Sequence, residues 1–103
     1  MQDEKVRFAL AMRIGRAALG MSQQEFADLL GLAKSTVARN ETLEMAMRAE
    51  TLTKMIRALR ERGVELGVLS SEDTLTVKVG DAAVQSLKHK LEDETQRKKK
   101  SLN

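Results

Sequence analysis

The chain lacks cysteine, proline, tryptophan and tyrosine, and its 103 residues include only two phenylalanines and one histidine. Without cysteine there are no disulfides and no thiolate metal sites, which suits a reducing compartment. The lone histidine, His89, excludes His-rich metal clusters, so neither a metal nor a cofactor is expected. Without tyrosine or tryptophan there is no ready platform for stacking unpaired bases, which argues against binding single strands or folded RNA. No Cys or second His completes a nucleophile–base pair, and no glycine-rich phosphate loop occurs, so an enzyme is not expected. No apolar run approaches the roughly 20 residues of a membrane span, and the N-terminal residues lack the apolar stretch of a signal peptide. These exclusions point to a cytoplasmic protein with no membrane partner.

What remains is a chain that is 42% hydrophobic, so its core must be built from Leu, Met, Val, Ile and Ala. That is enough for one small domain and an appendage. The net charge of +3 is mildly basic and uneven. Residues 1–63 hold 11 Lys and Arg against 8 Asp and Glu, whereas residues 64–103 hold 7 of each. A basic surplus permits nucleic acid binding without requiring it. The run Arg97-Lys98-Lys99-Lys100 reads as a solvated helix end, with a non-specific phosphate contact as the alternative.

The organising stretch is Gln23 to Glu41. Ser22 precedes a helical pattern with Glu25 three residues on, which is a capping box. Phe26, Ala27 and Leu30 form one apolar face, and Gly31 ends the helix because glycine takes a left-handed cap without steric cost. A second helix is expected from about Ala33 to Asn40. Val37 is its one strong apolar anchor, which leaves Lys34, Ser35, Ala38 and Arg39 on the free side. Two short helices, a tight turn and a polar second helix make a shape suited to a DNA major groove.

On the segments MSQQEFADLLG and LAKSTVARNE, the sequence resembles the Cro/C1-type (XRE-like) helix-turn-helix family of prokaryotic and phage repressors, over roughly Phe8 to Leu66. The resemblance implies that Lys34, Ser35 and Arg39 face base edges or the backbone, and that Gln23 and Thr36 hold phosphates. The chemistry agrees: Arg and Lys donate to guanine O6 and N7, and helix N-termini favour phosphate. It also implies an ion pair between Arg16 on the first helix and Glu41 on the third, where the residues alone would equally allow two separate surface charges. Two positions depart from the family. Asn40 stands where a branched apolar residue is usual, so it reads as a C-cap or as a residue that itself reaches DNA. Thr42-Leu43 stands where a glycine is usual.

The rest of the chain frames this motif. A first helix from Asp3 or Glu4 to about Leu19 turns Phe8, Met12 and Leu19 toward the core, with Gly15 allowing close approach. Residues Thr42 to Arg48 read as a loop with a helical turn. A helix from Ala49 to Arg62 carries Leu52, Met55, Ile56 and Leu59, and the helical core is expected to close there. The period then changes from 3.6 to 2. Val64, Leu66 and Val68 alternate with Glu65, Gly67 and Leu69, and Leu75, Val77 and Val79 alternate with Thr74, Thr76 and Lys78, on either side of Ser70 to Asp73, which reads as a β-hairpin. A lone hairpin is marginal in water, so it packs within the chain or pairs with a second copy, and an intersubunit sheet is the arrangement expected. A last helix, about Ala82 to Lys98, has a narrow stripe of Val84, Leu87 and Leu91. It docks on its own hairpin, crosses to a second subunit or binds another protein.

The fold class expected is therefore mainly α: a four-to-five-helix Cro/C1-type domain over 1–63, then a β-hairpin and C-terminal helix for dimerisation over 64–103. The function expected is a homodimeric, sequence-specific repressor of transcription that binds double-stranded DNA. Dimerisation is assigned to Val64, Leu66, Val68, Leu75, Val77, Val79, Val84, Leu87 and Leu91. The alternative is an antitoxin whose C-terminal half binds a toxin partner.

Overall fold

The computed structural model describes the backbone of residues 2–68 and 73–101, with side chains for 4–68 and 73–99. Helix α1 spans Gln2–Ala18, α2 Gln23–Leu30, α3 Lys34–Glu41 and α4 Ala49–Glu61. Strands β1 (Val64–Gly67) and β2 (Thr76–Val79) follow, then helix α5 (Asp81–Ser101). The fold is mainly helical, with one antiparallel hairpin and a C-terminal helix.

The local chemistry sets the helix ends. Ser22 accepts from the Glu25 amide while the Glu25 carboxylate accepts from the Ser22 amide, so two orphan donors are satisfied reciprocally. Gly31 closes α2 in the left-handed conformation, φ 68° and ψ 35°. Gly15 has no side chain because α4 lies against it: a Cβ there would come within 2.6 Å of a Leu59 methyl.

The core contains Ala11, Met12, Phe26, Ala27, Val37, Met55 and Leu59, each fully or almost fully buried. Val64, Val68 and Ala83 belong to the same cluster. The expectation that the helical core closes near Arg62 is therefore corrected, because β1 supplies part of that core. The hairpin register pairs Val64 with Val79, Glu65 with Lys78, Leu66 with Val77 and Gly67 with Thr76. Val64, Leu66, Val77 and Val79 consequently share one sheet face, and α1 and α4 pack against it. On the other face, Glu65 and Lys78 stand opposite each other with complementary charge.

This packing also revises the reading of the apolar rows. Val64 and Val68 are buried within the protomer, and Leu66, Leu75 and Val77 are partly buried against the core. The hairpin forms within one chain, and its apolar face is largely covered by its own helices. Of the nine residues assigned to dimerisation, Val79, Val84 and Leu91 are the ones left 43%, 46% and 52% exposed. The strands are also shorter than expected, with Val68 and Leu75 just outside them. The loop expected at Ser70 to Glu72 lies outside the described residues. Asp73, at its end, has φ 52° and sits 3.4 Å from Arg7.

Val64 thus works as a core residue of the helical domain. Val64→Ala is expected to lower stability by about 2–3 kcal/mol, and Val6→Ala, at an exposed position, by less than about 0.5 kcal/mol. A fragment of residues 1–63 is expected to lose cooperative melting. Thermal denaturation followed by circular dichroism checks all three, and a fragment that melts like the full chain would contradict a shared core.

Candidate nucleic-acid interface

Helix α3 is divided sharply between an anchored and an open face. Val37, Asn40 and Glu41 are buried, while Lys34, Ser35 and Arg39 are exposed and Thr36 and Ala38 are intermediate. The spacing explains the division, since Val37, Asn40 and Glu41 fall at i, i+3 and i+4 on one side. Ser35 and Arg39, four residues apart, share the opposite side, and Lys34 is exposed at the first position of the helix. Arg39 lies 4.0 Å from Glu44, both side chains being open to solvent.

The buried end of α3 is held by two arginines of α1. Arg16 Nε donates to Glu41 Oε2 at 2.7 Å and Arg16 Nη2 to Glu41 Oε1 at 3.0 Å, a bidentate pair. The remaining Arg16 Nη1 donates to the Met21 carbonyl at 3.0 Å, which ties in the turn before α2. Arg13, one helical turn earlier, donates from Nε to the Glu41 carbonyl at 3.0 Å. Sequence reasoning missed Arg13, although its position three residues before Arg16 places both on one side of α1.

Burial alone would push the Glu41 carboxyl up. Hydrogen bonds from Arg16 and Gln23 and the charges of Arg16 and Arg13 outweigh it and hold the group below its ordinary value. The Glu41 carboxylate in turn raises Arg16, against the smaller opposing effect of burial.

Gln23 sits differently from a purely phosphate-facing residue. Its Nε2 donates to Glu41 Oε1 at 3.1 Å, so the side chain is part of the same cluster. Asn40 neither caps the helix nor reaches outward. It is 3% exposed, its Nδ2 donates to the Met45 carbonyl at 3.1 Å, and Thr42 is the C-cap. Met45 also donates its amide to the Arg39 carbonyl at 3.2 Å, so the loop folds back onto the helix end. Leu43 explains the missing glycine: it adopts φ 64°, the left-handed geometry glycine takes without strain, and stays 46% exposed.

Beside α3 lies a groove of about 290 Å³, lined in part by Thr36, Asn40, Arg48, Thr51 and Lys54. It opens at the start of α4, where Arg48 is the N-cap residue and makes no side-chain capping bond. The N-terminal end of α4, with Arg48 and Lys54, borders this groove beside α3, and Glu50 lines it as well. Lys54 is 3.4 Å from Glu50, an exposed pair one turn apart. Arg48 and Lys54 were not singled out from sequence, because a basic residue beside a helix start becomes informative only once α3 is seen next to it. Among the described residues, no group of acidic or histidine side chains is placed to hold a metal ion. No helix among them is long and apolar enough to cross a membrane.

Two short helices joined by a glycine turn, the second with a polar open face beside a helix N-terminus, define a helix-turn-helix DNA-binding module. A family model described as helix-turn-helix matches residues 12–66, over half the chain. The chain belongs to this Cro/C1-type helix-turn-helix family of DNA-binding transcription regulators. Searches of curated proteins and of solved structures produced no match.

The Arg16–Glu41 geometry gives two expected outcomes. Glu41→Gln leaves Arg16 without its counter-charge and is expected to lower stability by roughly 3 kcal/mol, the low end for a buried pair because Arg16 is partly open to water. Thermal melts at neutral pH measure this. A depressed carboxyl stabilises the fold above its ordinary value of 4.5 and loses that contribution as pH falls through the lower folded value. The melting-temperature gap between wild type and Glu41→Gln is therefore expected to narrow below about pH 4.5. A gap unchanged down to about pH 2 would show that the pair is not what the variant removes.

Proposed function

We propose that the chain is a homodimeric repressor that reads a near-palindromic site in double-stranded DNA. The observation that carries this reading is the division of α3, with Val37, Asn40 and Glu41 buried and Lys34, Ser35 and Arg39 open to solvent. An anchored helix presenting two cations and a hydroxyl suits insertion into the major groove. There Arg39 and Lys34 would donate to guanine O6 and N7, and Ser35 to either kind of base edge.

Phosphate contacts would fix the register. Thr36 lies at the edge of the groove beside α3, and Arg48, Lys54 and the first amides of α4 would receive the backbone on that side. Gln23 would serve on the other side. A primary amide has two N–H donors; one reaches Glu41, which aims the amide and leaves the second for a phosphate. Two copies related by a two-fold axis would place their α3 helices about one DNA turn apart, roughly 34–36 Å. Blocking access to the bound site would make the protein a repressor, acting in the cytoplasm on DNA of its own host or phage genome.

Base and phosphate contacts separate by assay. Arg39→Ala is expected to remove about 1–3 kcal/mol of discrimination at one base position. Arg48→Ala and Lys54→Ala are each expected to weaken binding to all duplexes alike and to reduce the salt slope by about one. Selection from a random duplex library, followed by titrations at several salt concentrations, measures both. If Arg39→Ala selects the same site with undiminished preference, α3 is not the reader.

A further inference from the structure

Helix α5 has two faces with different fates. Its inner face docks. Ala83 is buried, and Leu87 lies so close to Gly20 that a Cβ there would meet its methyl at 2.7 Å. Lys90 Nζ donates to the carbonyls of Leu19 and Gly20, both at 3.3 Å, where α1 ends. The outer face carries Val84, Lys88, Leu91 and Thr95, spaced four, three and four residues apart along one side of the helix. Val84 is 46% and Leu91 52% exposed, and every residue from Leu91 to Lys99 is exposed. Thr95 donates its hydroxyl to the Leu91 carbonyl at 2.9 Å, which satisfies the polar atom within the helix and leaves the methyl for packing.

The charges on this face favour one occupant and one orientation. In a parallel pair of α5 helices equal residues meet, so Lys88 would stand against a second Lys88 in the seam. Lys88 lies 4.0 Å from Glu92 of its own helix; in an antiparallel pair centred between His89 and Lys90, each Lys88 also comes within one residue of the partner's Glu92, so the two pairs join in one cluster of alternating charge. The same register sets Val84 against the partner's Thr95 and Leu91 against the aliphatic stem of the partner's Lys88. Antiparallel helix dipoles also attract rather than repel.

Resting on the homodimer reading above, we propose that α5 pairs antiparallel with α5 of a second copy through Val84, Lys88, Leu91 and Thr95. Because the inner face of the same helix grips Leu19 and Gly20, directly before the α2 capping box, the pairing fixes the helix-turn-helix motif relative to the two-fold axis. The dimer contact thus lies on the C-terminal helix, while the hairpin serves the protomer's own core.

The absence of cysteine makes the orientation testable by single added thiols on the full chain. Oxidation of a mixture of Val84→Cys and Thr95→Cys is expected to give the mixed disulfide dimer, with little self-crosslinking of Val84→Cys. Sedimentation equilibrium is expected to show a wild-type dimer, and Leu91→Glu is expected to raise its dissociation constant at least about tenfold without changing the thermal melt of dilute protein. Rapid self-crosslinking of Val84→Cys would make the helices parallel and overturn the proposal. So would a monomeric wild type, including one that dimerises only with a foreign protein, or a Leu91→Glu variant that dimerises like wild type. Each variant is also titrated with duplex DNA. A chain that stays monomeric yet binds duplex rejects the helix pairing alone, whereas a dimer that binds no duplex rejects the DNA reading alone.

Discussion

The arrangement depends first on one buried ion pair. Arg16 and Glu41 hold each other through two hydrogen bonds, and the arginine's third contact, to the Met21 carbonyl, ties the turn before α2 to the end of α3. A carboxylate only 4% exposed is costly to desolvate alone. That cost is why Arg16, Arg13 and Gln23 all converge on Glu41, two through its carboxylate and Arg13 through its backbone carbonyl. The result fixes α3 by its buried side and leaves its open side undistorted. Specificity in DNA binding needs such rigidity, because a bidentate contact to a base edge tolerates little error in the position of the donor.

The second constraint is size. A small domain with two phenylalanines has little apolar bulk, and the four helices of the motif do not enclose their core alone. Strand β1 completes it with Val64, and α5 adds Ala83. The hairpin therefore shares one core with the helix-turn-helix motif. A division of the chain after Gly63 separates sequence periodicities but cuts through one core. The family match likewise continues to residue 66, through most of β1.

Much of this was legible in the sequence, and for identifiable reasons. The capping box at Ser22 and Glu25, the glycine at 31 and the anchor at Val37 are local signals whose meaning does not depend on distant residues. The period change after Gly63 marked the hairpin. What was not legible depended on tertiary placement. Asn40 has no local signature for bonding Met45 across a loop. Leu43 conceals a left-handed position because it is not a glycine. Alternation in β1 and β2 showed that one face was apolar, but not that α1 and α4 would cover it. Arg48 and Lys54 gained meaning only from the groove they share with Thr36.

The central claim is that the open face of α3 and the start of α4 together receive DNA. The most direct measurement is the amide spectrum of isotopically labelled full-length protein, recorded with and without a duplex selected from a random library. The expected result is that the largest changes fall on Lys34, Ser35 and Arg39 and on residues 48–51, with the inner face of α5 and the hairpin core unchanged. Changes concentrated on the outer face of α5, or on the exposed Val6, Leu10 and Leu43, with α3 unmoved, would contradict it.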